Sequence, residues 1–244
     1  MKTFSLKNTL IAGAFYTILP TIAMADSVML DQAKLGNERV ESSFNFQLSK
    51  QNSSDDYIGS IYGNVQLTDE IRVSTQLDSE GYLEFSTGYG FNIGSTYIEP
   101  YVNYGKTDFI DIKTTGAFAG IMINDSLMVF ADTSYEWRTA NSDLGLGIQE
   151  DLLDENEWRS ALGASYTLNE KLIMGYTFHH NRIIDSGALS YENDNRNSHE
   201  LSVAFNVTNE IAPYVQYTHG PHRVNQGSVI EDSNSFEAGI NFRF

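Results

Sequence analysis

The side chains best placed by type to do chemistry are five histidines, His179, His180, His199, His219 and His222, with the arginines and carboxylates that interrupt otherwise apolar stretches. Hydrolysis by an activated serine needs a Ser, a His as base and a third group that orients the His, all on one surface. Ser198 adjoins His199, but adjacent residues of an extended strand point to opposite faces, so Ser198 cannot join His180 and His199 on theirs. Asp185 lies near His179 as an acid-histidine couple for peptide cleavage requires, without the paired acids that such chemistry also needs. Imidazoles are common metal ligands, yet these five fall on or beside polar connections whose length leaves their separation unset. Hydrogen bonding to lipid headgroups or water accounts for them equally well. The chain has no cysteine, which removes thiolate metal sites and disulfides. No catalytic residue, no metal site and no cofactor is therefore expected.

The charged residues make sense only once the elements that carry them are drawn. Residues 233–244 read SNSFEAGINFRF and alternate throughout. Phe236, Ala238, Ile240, Phe242 and Phe244 fall on one side, and Ser235, Glu237, Gly239, Asn241 and Arg243 on the other, the period of a two-faced strand. A strand with an apolar outer face, a polar inner face and a terminal Phe reads as the closing strand of an outer-membrane barrel. In that reading Phe242 and Phe244 carry the insertion signal met by the barrel-insertion machinery.

The other end of the chain agrees. Lys2 and Lys7 precede an apolar run, Leu10 to Leu19, and Ala23-Met24-Ala25 forms a small-x-small cleavage site, so residues 1–25 read as a secretory signal peptide and residues 26–244 as the mature barrel. Beyond it no apolar run approaches the roughly twenty residues a spanning helix needs. A closed barrel is the remaining way to satisfy every backbone N–H and C=O inside a bilayer. The signal peptide holds two of the 15 basic residues and none of the 32 acidic ones, leaving 13 against 32, a net charge of −19. So acidic a chain has no nucleic-acid partner.

From residue 37 the chain resolves into twelve alternating stretches, 37–50, 57–67, 71–78, 82–91, 97–104, 114–123, 127–138, 158–168, 171–181, 198–207, 211–219 and 233–244. The fold class is all-β, a transmembrane antiparallel up-and-down barrel. Every second connection is short. Leu67 to Ile71, Ile123 to Leu127, Leu168 to Leu172 and Val207 to Ile211 are copies of one unit, an Asn or Thr turn clamped between apolar residues, and Asn92 to Thr96 is a looser version. The other connections, among them Gly105 to Lys113, Thr139 to Glu157 and Arg182 to Asn197, read as longer extracellular loops. Residues 26–35 fit no strand.

Parity fixes the faces. Phe44, Phe46 and Leu48, Ile61 and Val65, Leu127 to Trp137 in alternation, and Leu201, Val203 and Phe205 point outward. The opposite register would put Arg39, Arg72, Arg138, Arg159, Lys171 and Arg243 in lipid, at about 2–4 kcal/mol for each near the midplane. Those six basic residues are instead expected in the lumen, facing the acids Glu41, Asp78, Glu84, Glu99, Asp132, Glu136, Glu200 and Glu237. Twelve strands leave a narrow passage whose side chains decide what passes. Such a lumen either grips and conducts a charged solute or neutralises its own charges in a structural network.

Tyr166-Thr167-Leu168-Asn169 through Gly175-Tyr176, and Ser198 to Ser202 with Ala212 to Val215, resemble hairpins of the twelve-stranded oligogalacturonate-specific porin family. That resemblance implies passive uptake of small acidic oligosaccharides along lumen arginines. Here inward acids outnumber inward bases, and count alone implies mild cation preference. The implied partners are outer-membrane lipid and lipopolysaccharide, small charged or sugar solutes, and the insertion machinery, with the barrel expected as a monomer. A barrel that conducts nothing and serves as an adhesin, receptor or structural protein is the other class.

Overall fold

The computed structural model describes residues 42–52, 56–140, 154–169, 171–186, 195–223, 231–232 and 234–244. The signal peptide, residues 26–35, Arg39 and Glu41 lie outside them. The strands are β1 (Ser43–Gln51), β2 (Tyr57–Gln66), β3 (Ile71–Asp78), β4 (Leu83–Tyr89), β5 (Phe91–Ile93), β6 (Thr96–Lys106), β7 (Ile110–Asn124), β8 (Leu127–Ala140), β9 (Glu155–Thr167), β10 (Leu172–Ser186), β11 (Asn195–Phe205), β12 (Ile211–His219), β13 (Pro221–His222), β14 (Glu231–Asp232) and β15 (Ser235–Arg243). β5 continues β4, since both pair with β6, and β13 with β14 is a small ribbon in the connection before β15. The remaining strands pair antiparallel with their sequence neighbours, and β1 closes on β15 from Ser43↔Arg243 to Gln51↔Ser235. The result is a closed twelve-stranded barrel with no free edge.

The lower turns explain the pairing. Thr68 Oγ1 accepts the N–H groups of Glu70 (3.2 Å) and Ile71 (2.9 Å), and Thr208 Oγ1 accepts those of Glu210 (3.2 Å) and Ile211 (3.1 Å). Asn124 and Asn169 do the same with Oδ1, each taking two N–H groups at 2.9 Å. A side-chain oxygen thus satisfies the donors a reversing backbone would orphan. The connection expected as a loop over Gly105 to Lys113 is a fifth copy of this turn. Thr107 Oγ1 accepts from Phe109 (3.1 Å) and Ile110 (3.0 Å), and the flanking strands run through the rest. β9 likewise begins at Glu155 rather than Trp158, and β10 and β11 extend to Ser186 and from Asn195.

Pro100 is the fifth residue of β6. Pairing with β4 ends at Gly88↔Tyr101 and resumes with β5 at Phe91↔Ile98, so the residue without an N–H sits where the ladder is already broken.

The exterior is lipid-facing. Phe46, Leu48, Val65, Leu162, Leu201 and Phe236 stand exposed along it, as parity requires. Outward threonines hide their hydroxyls by donating to neighbouring carbonyls, Thr75 to Glu84 (2.9 Å) and Thr87 to Arg72 (3.0 Å). Tyr104, Trp137, Trp158 and Tyr217 form the upper aromatic belt, and Phe91, Tyr166, Phe205 and Phe244 the lower. A closed barrel so clad belongs in the outer membrane.

Candidate functional site

The lumen has two unlike halves. In the upper half β8 and β9 bring inward charges side by side, because Ser134↔Arg159, Glu136↔Glu157 and Arg138↔Glu155 are register partners. Glu136 receives Arg138 Nε at 2.6 Å and Arg159 Nη1 at 2.8 Å, one guanidinium on each carboxylate oxygen. Arg159 Nε lies 3.7 Å from Glu157. Arg223, just past β13, folds down into the mouth, bonds Glu155 and approaches Glu157 to 3.7 Å. Burial beside Arg138 lowers the Arg223 guanidinium to about 10, so it remains a cation at neutral pH. Three arginines and three glutamates therefore alternate in one network, each partly offsetting the desolvation of the next.

Beside this network lies a cavity of ≈ 50 Å³, bordered by Arg159, His179, Glu200, His222, Arg223 and Glu237. His222 closes one side. A carbonyl can only accept, so Nδ1, 2.7 Å from the Gly220 oxygen, carries a proton, and Nε2 accepts from Ser235 Oγ at 2.6 Å. His179 lies 3.6 Å from Glu200. Among the described residues the buried hydroxyls of Thr177 and Ser202 and Oε1 of Glu200 find no hydrogen-bond partner, and they lie on the strands that line the cavity. Buried polar atoms of this kind bind water or the hydroxyls of a solute.

The lower half is packed with apolar side chains from β6 to β12. Tyr97, Tyr101, Phe118, Met128, Phe130, Ala161, Ile173, Ala204 and Tyr214 form one buried cluster. The rings lie flat because their strand partners are glycines: Tyr101↔Gly116, Phe130↔Gly163 and Tyr214↔Gly239. A Cβ at Gly116, Gly163 or Gly239 would overlap the ring opposite it. Tyrosine hydroxyls pin the cluster by donating to inward acids, Tyr101 to Asp132 (3.1 Å) and Tyr214 to Glu237 (2.9 Å), with Tyr97 on Glu99. Across from the cluster, β1 to β3 present Asn45, Asn64, Ser74 and Arg72.

The structure brings together only part of the expected lumen set. Arg138, Arg159 and Glu136 meet in the upper network. Asp132 stands apart under Tyr101, and Arg72 is buried against Glu99. Arg243 is inward but donates to Asn206 Oδ1 (2.9 Å) at the lower turn, and Phe242 and Phe244 end the closing strand on the outer face. Lys171 is not in the lumen: it lies exposed in the Leu168 to Leu172 turn, where its N–H serves Asn169. Its parity was inward, but it falls below the last paired rung, where parity no longer aims a side chain. Arg223, Glu155 and Glu157 were missed. The parity of Glu157 matches Arg159 and would have found it had β9 been begun earlier; nothing local marks Arg223.

No family model and no curated protein matches the chain. Solved structures match it in fold. The NanC porin superposes with a TM-score of 0.67 at 12% identity, covering 82% of this chain and 100% of that one. The KdgM porin, solved in complex with disordered oligogalacturonate, gives 0.58 at 12% identity over 83% of this chain and 99% of its own. The translocator domain of the autotransporter NalP from Neisseria meningitidis gives 0.56 at 13%, covering 89% and 93%. Barrels with different tasks share this architecture, so the likeness carries the fold alone. The chain has the fold of the twelve-stranded outer-membrane porins.

Proposed function

We propose that this barrel is a channel for passive entry of small acidic oligosaccharides, oligogalacturonates among them, and not an enzyme. The observation that carries the reading is the cavity wall. Arg159 and Arg223 border it together with the hydroxyls of Ser49, Ser198 and Thr218, and a uronic acid needs this combination, a fork for its carboxylate and partners for its ring hydroxyls. The solved complex of KdgM with oligogalacturonate, on the same fold, supports the substrate class. The outward carboxy-terminal residues Phe242 and Phe244 serve recognition by the insertion machinery, with the Phe244 N–H also donating to the Ser42 carbonyl at 3.0 Å across the closure seam.

Reversal potentials in a salt gradient test the reading. Anion preference that weakens in Arg159→Ala plus Arg223→Ala supports it; cation preference indifferent to those changes overturns the acidic substrate. The packed lower lumen favours a second reading, a barrel that conducts nothing and acts through its loops. Silence of the purified protein in planar bilayers at all voltages would select it.

A further inference from the structure

The outer wall of β9 to β12 carries a second polar feature, independent of the lumen. This chain holds 32 acids against 15 bases, yet no Asp or Glu occupies an outward position from Leu172 to Arg182 in β10, Asn195 to Phe205 in β11 or Ile211 to His219 in β12; the outward acid that comes next is Asp185, exposed at the upper end of β10 beyond Arg182. The cationic and imidazole groups there gather at one height, immediately above the aromatic belt. His199↔His219 and His180↔Asn197 are register partners, and Arg182 pairs with Asn195 on one side and Trp158 on the other. Lys50 of β1 continues the row past β15, standing over the Tyr57 ring at 4.9 Å.

The rings are held in place. His180 Nδ1 lies 2.8 Å from Asn197 Oδ1 and His219 Nδ1 2.6 Å from Asn234 Oδ1, so both Nδ1 atoms are donors and the Nε2 edges turn away from those bonds. Tyr176 Oη meets His199 Nδ1 at 2.9 Å, and that ring packs between Tyr176 and Phe178. Just below are Tyr176, Leu201, Tyr217 and Phe236, all exposed. Acyl chains thus meet the apolar belt where a phosphorylated glycolipid headgroup would meet the cations of Arg182 and Lys50 and the Nε2 acceptors of His180 and His219.

We infer that this face binds a phosphorylated glycolipid headgroup of the outer leaflet. The occupant is a lipid rather than a soluble anion because these groups stand on the outer wall and are continuous with the hydrocarbon belt. It is a lipid rather than a protein because the row follows the line where lipid headgroups sit. Arg182 supplies a planar fork for phosphate oxygens, Lys50 a point charge, the asparagine amides donors, and Nε2 of His180 and His219 acceptors for sugar hydroxyls.

The test uses the full folded chain in detergent, with bis-phosphorylated lipid A as probe and native mass spectrometry as readout. Retention should fall at least about five-fold in Arg182→Gln with His199→Gln and His219→Gln, from the loss of the Arg182 charge and of the imidazoles that meet the sugar. It should be unchanged in Lys106→Gln plus Lys113→Gln on the opposite sector, and lipid A stripped of phosphate should bind the unaltered chain as weakly as the triple variant binds the intact lipid. The stripped lipid also decides the matter if the triple variant does not fold, as judged by heat-modifiable mobility. Equal retention of intact and stripped lipid, full retention by the triple variant, or displacement by inorganic phosphate alone would overturn the inference.

Discussion

The upper and lower halves of the lumen use the same inward parity for opposite ends. Above, Glu136 is held by two arginines, and a loop residue, Arg223, is drawn down to complete the alternation. Below, inward positions on β6, β7, β8 and β12 carry aromatics, of which Tyr101, Phe130 and Tyr214 are seated on glycines, and the Tyr101 and Tyr214 hydroxyls turn to Asp132 and Glu237. The upper half is charged and lies beside a cavity; the lower is filled. On the proposed channel reading, selectivity belongs to the first and size exclusion to the second, because charge acts across open space while packing acts by occupying it.

The sharpest way to break that division is to empty the lower half. Phe118→Ala with Phe130→Ala removes two rings packed at 6.0 Å between centroids. Each change costs about 3–5 kcal/mol, and single-channel conductance should rise severalfold with ion preference unchanged. Unaltered conductance would show that the path runs elsewhere. In the upper half, Glu136→Gln removes the carboxylate charge that Arg138 and Arg159 share, costing about 3 kcal/mol. Reversal potentials should move toward anions while conductance stays nearly constant; a conductance change with no shift in reversal potential would merge the two halves.

A smaller effect sharpens the packing argument. Gly163→Ala places a Cβ in the Phe130 ring, so the midpoint of heat-modifiability or urea unfolding should drop by about 1–3 kcal/mol. The same change at Gly59, where no atom lies within 4 Å of the added Cβ, should be near neutral. Equal effects at both sites would remove the claim that glycines seat the rings. The smallest expected effect lies outside both halves. Thr208→Ala leaves two turn N–H groups without their acceptor and should cost about 1 kcal/mol by unfolding, with no effect on conduction.

Much of the barrel was legible before any coordinates. Alternation assigned every outward residue named from parity, and the Thr and Asn turns announced where the chain reverses, because both depend on residues near one another in sequence. The site was legible only in part. Arg138, Arg159 and Glu136 were placed inward by parity, but parity gives a face and not a partner. It left Arg72 and Arg243 in the same set, although Glu99 and Asn206 hold them away from the upper network. Lys171 marks the limit of the method, since alternation holds only while a strand is paired.

The sequence by itself determined the strand count, the two faces and the closing strand, since a period of two and a buried ladder leave one consistent register. The tertiary structure alone decided which inward side chains meet. Tyr101 reaches Asp132 from two strands away, Tyr214 lies over Gly239, and Arg223 enters from a connection between strands. Those meetings follow from the stagger between neighbouring strands around a closed barrel, a quantity set by the whole ring of pairings that no single strand encodes.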